Sequence, residues 1–425
     1  MSGRGNFFAV DRRAWGAVCG LGSINAAVAF LVMARGTLAD MKTTAWSTNA
    51  IEDRTSISRH LAKEAIERLV KSGLVERKRA GKRPLYVLAT DAPRKAKPAL
   101  TPEEQHVLDK VDAAGGPIWV PKVGRFDQGW NGGNPYALAC QLVRKGYLRS
   151  EGDQRFGLEF EPSPSDAHEW VWLPSEIIDG AAGETPAVEI LRQSQHLPAL
   201  RLFVDLYHAQ SLPRYGGISW RQIRKPYTKR RIGQRGAHII WGFEPQSAQA
   251  WHHPDFVRPH IGEKDGKPSL DPFFHALGII TQAGLAGYVP HLIEADSDEA
   301  AILFPYALAN LGQKEEQAIA WLAHEAGHAM LAEHQSDNAD TEGLLLAPLL
   351  PHTGEAQMLG ILRMRYQAGT AANVEWLQDN RPRWRETAEC LAGLAGKPFP
   401  EQAFAISTRD QTEIKSGSTR DQIQG

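Results

Sequence analysis

The sequence predicts an α+β fold that is mainly helical. Three observations predict it. Residues 57–71 carry an apolar stripe of helical period, followed at once by two short strand-like runs around a basic turn. The same cadence of helix, glycine, strand, turn and strand returns twice further along. The last third of the chain is rich in Ala and Leu.

The first helix is expected from Ser23, which caps it, to Gly36, which ends it. Ser47 caps a short helix through Ile51, and Asp53 to Ser56 make a turn. Ser58 then caps a longer helix to about Lys71, whose apolar residues are Ile57, Leu61, Ala62, Ala65, Ile66, Leu69 and Val70. Its other face carries Arg59, His60, Lys63, Glu64, Glu67, Arg68 and Lys71. Gly73 stops the helix. Leu74–Lys78 and Pro84–Leu88 read as strands, joined by the basic turn of residues 80–83.

Short helix, turn, amphipathic helix and basic hairpin together resemble the winged helix-turn-helix domains of bacterial regulators and replication initiators. The phrase TSISRHLAKEAIERLVKSGLVERKRAGKRPLYVL carries the resemblance, which covers about the first 90 residues. It implies that the second helix enters the major groove of double-stranded DNA and that the hairpin touches the backbone. Ser58, Arg59, His60 and Lys63 are then the base and phosphate contacts, and Arg77, Lys78, Lys82 and Arg83 hold phosphates. The general style of the chain also resembles proteins of bacterial mobile elements. Several DNA-binding units on one chain suit a replication initiator or a partition factor, with a one-site transcription regulator as the rival; Ile24–Met33 offers a homodimer surface, although that helix reads first as core.

Charge agrees with an anionic partner met at one end. Residues 1–100 hold about 18 Lys and Arg against 8 Asp and Glu, whereas the remainder holds about 30 against 41. A second basic tract, residues 213–235, has eight Lys and Arg and no acid, with Tyr215, Trp220 and Tyr227 interleaved. A helix from Ser219 to about Arg224 would present Arg221, Arg224 and Lys225 together; Arg221, Arg224, Lys229, Arg230 and Arg231 form the expected second contact.

The cadence divides the chain. Residues 1–90 form the first domain and 91–102 a Pro-, Ala- and Lys-rich linker. Winged-helix-like units are expected in 103–180 and 181–310, on the segments 135–160 and 273–306. Residues 311–396 are expected to be a helical C-terminal region, with helices at 314–335, 354–367 and 371–395, and 397–425 a polar tail.

One motif points to different chemistry. His324-Glu325-Ala-Gly-His328 is HExxH, and four residues of helix put both histidines on one face, where they can share a zinc ion beside Glu325 as general base. The run is similar to the zinc motif of membrane-bound AAA proteases, and His334 adds the ligand spacing of metzincins. Leu331, however, stands where metzincins carry Gly, and there is no GxxxxGK[ST] phosphate loop. The alternative to DNA binding alone is thus a zinc metallopeptidase with an accessory DNA-binding domain; the plainer reading of the same residues is an Ala-rich packing helix. Three scattered cysteines make neither a disulfide framework nor a CxxC site, and the most apolar run is about ten residues, too short to span a bilayer at about 20. A cytoplasmic protein without a membrane segment is expected.

Overall fold

The computed structural model describes residues 7–81, 84–90, 100–114, 118–122, 130, 134–145, 148–150, 154–158, 169–181, 183–250, 258–265, 267–297, 300–307, 312–332, 341–368 and 370–405. By packing, the chain divides into two units: residues 1–92 together with 169–425, and residues 93–168.

The larger unit opens with β1 (Phe7–Asp11) and α1 (Arg12–Cys19), where the Asp11 carboxylate accepts from the N–H groups of Arg13 and Ala14. Helix α2 (Ile24–Arg35) follows, with β2 (Thr43–Thr44), α3 (Thr48–Arg54), α4 (Arg59–Lys71), β3 (Val75–Arg79) and β4 (Leu85–Leu88) after it. The three strands form a sheet in the order β2-β4-β3. The Ser58 hydroxyl accepts from the N–H of Leu61 and so caps α4. Residues Ala26 to Ala34 of α2 are all buried. A helix that is apolar on every side needs cover on every side, and α2 has it: α3 and α4 on one flank, α1, α7 and α8 on others.

The smaller unit has a related order: α5 (Pro102–Ala113), β5 (Ile118–Trp119), α6 (Pro135–Arg144), β6 (Leu148–Ser150) and β7 (Arg155–Leu158). Its sheet runs β5-β7-β6, the same first–third–second order as β2-β4-β3. Val107, Val111, Ala139, Leu142, Leu148 and Phe156 form a core of its own.

The larger unit resumes with β8 (Trp170–Pro174), antiparallel to β1, then α7 (Glu176–Asp179), α8 (Ala187–Gln193) and α9 (Leu197–Ala209). Short pieces follow: β9 (Gln210–Ser211), α10 (Leu212–Tyr215) and β10 (Gly217–Ile218). The remaining strands are β11 (Ile223–Arg235), β12 (His238–Pro245), β13 (Gln249–Ala250), β14 (Gly262–Lys264), β15 (Lys267–Ser269), β16 (Ala286–Ile293), β17 (Ile302–Pro305), β18 (Leu345–Leu349) and β19 (Gln357–Met364). The helices among and after them are α11 (Asp271–Gln282), α12 (Lys314–Ala332), α13 (Ala371–Ala395) and α14 (Glu401–Phe404).

This region overturns the expectation of a mainly helical chain. The fold is mixed, and its largest element is a seven-stranded antiparallel sheet in the order β17-β16-β19-β11-β12-β18, with β13 beside β11. The segment 354–367, expected as a helix, contains the central strand β19 instead, paired with β16 along Gln357–Met364 and with β11 at Leu359–Ile361. Residues Met358 to Met364 are all buried, Arg363 among them, and a run that is apolar but for one residue does not reveal by periodicity whether it is strand or helix. The cadence at 273–306 is α11, β16 and β17, but β16 is bonded on its other edge to β19, so the pair belongs to the large sheet, with β17 at its edge, and is not a separate hairpin wing. The basic tract 213–235 holds no helix over Ser219–Arg224; Ser219 to Gln222 make a turn and Ile223 begins β11.

Two large cores, and a small cluster of Trp220, Ile293, Leu359 and Ile361, serve the larger unit among the described residues. One runs from α1, α2 and α4 through α8, α9 and α11, so the first 90 residues share their interior with residues from 171 onward. The other joins Ile319, Ala323 and Ala326 of α12 and Trp384 and Ala388 of α13 to Phe243, Ala347 and Met358 of the sheet.

Candidate nucleic-acid interface

Helix α4 shows one face to solvent. Ser58, Arg59, His60, Leu61, Lys63, Glu64, Arg68 and Lys71 are exposed, while Ala62, Ala65, Ile66 and Leu69 are buried. Leu61, read from the sequence as part of the apolar stripe, is 42% exposed. At 100° per residue it sits about 105° from the line of Ala62, Ile66 and Leu69, at the edge of the buried arc. Residues Thr55 to Ser58 make the turn that brings α4 against α3. Thr55 closes α3 with its hydroxyl on the Ile51 carbonyl at 2.6 Å.

Hollows lie on both sides of the helix. One, of about 340 Å³, is lined by Arg59, Lys63 and Glu67 of α4, by Ser47, Thr48 and Asn49, and by Arg77 and Tyr86 of the hairpin. The other, of about 730 Å³, is lined by His60, Lys63, Glu67, Arg68 and Lys71 together with Ser23 and Asn25. Lys63 and Glu67 line both, so α4 stands as a ridge between them. Thr48, Asn49 and Asn25 carry no sequence signal, and Ser23 and Ser47 read only as helix caps, because their nearness to α4 follows from tertiary packing; Arg68 and Lys71 read as polar-face residues without a role.

The hairpin cations are partly engaged. Arg77 pairs with Glu67 at 2.6 Å and stands 5.8 Å from the Tyr86 ring; the Arg77 hydrogen bond holds the Glu67 carboxyl below its ordinary range. Lys78 pairs with its neighbour Glu76 at 2.7 Å. Lys82 and Arg83 lie outside the described residues.

The pair α3 and α4 is anchored from behind. Arg54 stacks on Trp46 at 3.8 Å and joins Arg35 on the carboxylate of Asp179. Glu189 of α8 accepts from Arg192, Gln193 and Ser56 of the turn; burial works against its charged form, but these bonds bring its pKa down to about 2.

The second basic tract is dispersed. Arg224 pairs with Asp296 at 2.8 Å. Lys229 donates to the carbonyls of Gly354 and Ala356 at 2.7 Å each and lies 4.1 Å from the Trp241 ring, and burial lowers its pKa. Arg221 is half-buried; Arg230 and Arg231 are exposed on β11, with Arg231 bonded to Gln234. Arg221 lies in the turn before β11 and Arg224 and Lys225 on the strand, so no helix presents the three together.

HExxH lies on α12. The Nε2 atoms of His324 and His328 are 3.0 Å apart, and burial, then the neighbouring His328, lowers the pKa of His324. Glu325 is held by Lys397 at 3.0 Å. Ala323, Ala326 and Gly327 are packing residues: a Cβ on Gly327 would lie 2.7 Å from Leu346 Cβ, so glycine lets α12 approach β18. Among the described residues no three His, Cys, Asp or Glu come together to hold a metal, and His334 lies outside them.

In the smaller unit, α6 occupies the place that α4 has in the larger one. Its exposed described residues are Ala137 and Gln141, and Lys145 beyond it is bonded to the buried Glu104 at 2.6 Å. The strand order recurs there, but among the described residues α6 shows no cationic face. Comparison with protein-family models, with curated proteins and with solved structures finds no match. Among the described residues no helix is long and apolar enough to cross a membrane.

Proposed function

We propose that residues 24–88 are a winged helix-turn-helix that binds double-stranded DNA through α4. The observation that carries the reading is the ridge itself: a 13-residue helix with Arg59, His60 and Lys63 exposed in its first turns and open hollows on both sides. A major groove about 12 Å wide admits one helix, and the phosphate strands that border it need room beside that helix. Arg59 and Lys63 supply charge on the ridge; Ser47, Thr48 and Asn49 lie where a phosphate strand would pass. The exposed Leu61 methyls suit a thymine methyl.

The reading covers a DNA-binding protein of regulator or replication-initiator type. It gives no part to the basic tract on β11, where Arg224 and Lys229 are engaged in the fold.

The test is fluorescence anisotropy on labelled duplex DNA. Arg59→Ala with Lys63→Ala is expected to weaken binding at least about tenfold, from two lost contacts of about 1 kcal/mol or more each. Arg230→Ala with Arg231→Ala is expected to change it little. The reverse pattern would move the interface to β11, and no binding by wild-type protein would end the reading.

A further inference from the structure

Away from α4, a pocket of about 220 Å³ lies between α10, the sheet and α13. We infer that it is a binding site for a small organic anion, a carboxylate or phosphate monoester with a compact apolar body.

Its floor is a buried polar network. Arg363 on β19 is 3% exposed and Glu316 on α12 is 0% exposed. Arg363 Nη1 donates to both Glu316 carboxylate oxygens at 2.7 Å, Nη2 to His291 Nε2 at 2.7 Å, and Nε to the Gly216 carbonyl. His291 Nδ1 lies 2.7 Å from the Val289 carbonyl, to which it can only donate, so Nε2 is left as an acceptor. Burial and the Arg363 charge keep this imidazole neutral, with its pKa well below the ordinary value. The three groups together therefore carry no net charge. A guanidinium has five N–H donors, and these contacts engage at most four. One N–H of a buried arginine that lines the pocket is left without a protein acceptor among the described residues.

Gly216 keeps that floor open. It has φ +64°, and a Cβ there would lie 2.9 Å from Arg363 Nη2 and 3.3 Å from His291 Nε2. At the mouth stand Arg214 and Arg383, both exposed. The described lining thus holds three arginines, the Asn380 amide and no carboxylate. Since the floor is neutral, Arg214 and Arg383 leave the described lining cationic. Arginine is the side chain whose planar donors best match carboxylate and phosphate. Trp376 and Trp384, edge to face at 5.4 Å, give the apolar wall for the rest of the ligand.

The test is calorimetric titration of the full-length protein with phenyl phosphate, benzoate and benzylamine at fixed ionic strength in chloride. Saturable one-to-one binding of phenyl phosphate, of benzoate or of both is expected, and which of them binds assigns the head group; benzylamine is expected not to bind. Arg214→Gln with Arg383→Gln is expected to weaken anion binding at least about tenfold. Both side chains are exposed, so the melting temperature of the unliganded variant should match wild type. Absence of anion binding above chloride, equal binding of benzylamine, or full affinity in a folded double variant would overturn the inference. None of these outcomes depends on DNA binding.

Discussion

Gly36 has ordinary helical-side backbone angles but no room for a side chain. A Cβ there would come within 2.2 Å of the Trp46 ring, which Arg54 covers from a distance of 3.8 Å. Gly36→Ala is expected to push Trp46 aside and cost about 1–3 kcal/mol, read as a lower melting temperature; an unchanged melting temperature would contradict this packing argument. Glu67 offers a test of opposite sign. It places a carboxylate on the ridge and occupies Arg77. Glu67→Gln removes a negative charge from the interface and releases that arginine, so DNA affinity should rise severalfold, with loss of affinity as the contrary result. Residue-scale reading of the sequence succeeded where chemistry is local. Ser23 and Ser58 cap helices as their type and position suggest, whereas Ser47 stands at the start of α3 without a side-chain cap bond. It failed where partners come from far away. Lys229 looked like a free cation in a basic run, yet its ammonium caps the carbonyls of Gly354 and Ala356.

Among elements, α2, α4 and the hairpin were legible because each carries its own period and stop signal. The long strand β11 was not. Its basic residues show no apolar partner pattern, because Arg224–Pro226 pair with β19, Ile223 and Arg224 with β13, and Tyr227–Arg235 with β12. Strand β19 was concealed for a related reason: buried on both faces, it lost the alternation that marks a half-exposed strand. The turn between α3 and α4 depends on a third element, since Glu189 of α8 holds Ser56. The Glu189 pKa is depressed in the folded protein, so its contribution is present above the ordinary carboxyl value of 4.5 and is lost as pH falls toward 2. Acid unfolding followed by circular dichroism should therefore show a transition that Glu189→Gln, less stable at neutral pH, approaches from below as the acid is increased. A constant gap between the two proteins from pH 7 to pH 2.5 would contradict that role.

For the whole molecule, the first 90 residues do not own their core. Helix α2 is enclosed partly by α7 and α8, which come after the smaller unit in sequence. The charge asymmetry and the caps gave no sign of this, because a helix buried on all sides reads the same whichever segment covers it. Residues 93–168 have a separate core. Replacing them with a flexible linker should leave the larger unit folded, with its cooperative melt and its DNA affinity close to wild type; loss of the cooperative melt would show that the two units depend on each other. Cutting the chain after residue 92 should instead expose α2 and give an aggregated fragment.

The central claim, that α4 is a DNA-reading helix, is tested most directly by duplex DNA binding of the full-length protein across a salt series. Wild type should bind with an affinity that falls steeply as salt rises. The Arg59→Ala, Lys63→Ala variant should bind more weakly, with a logarithmic slope shallower by about 1–2. Binding that is absent, that ignores salt, or that keeps the same slope and strength in the variant would contradict the account.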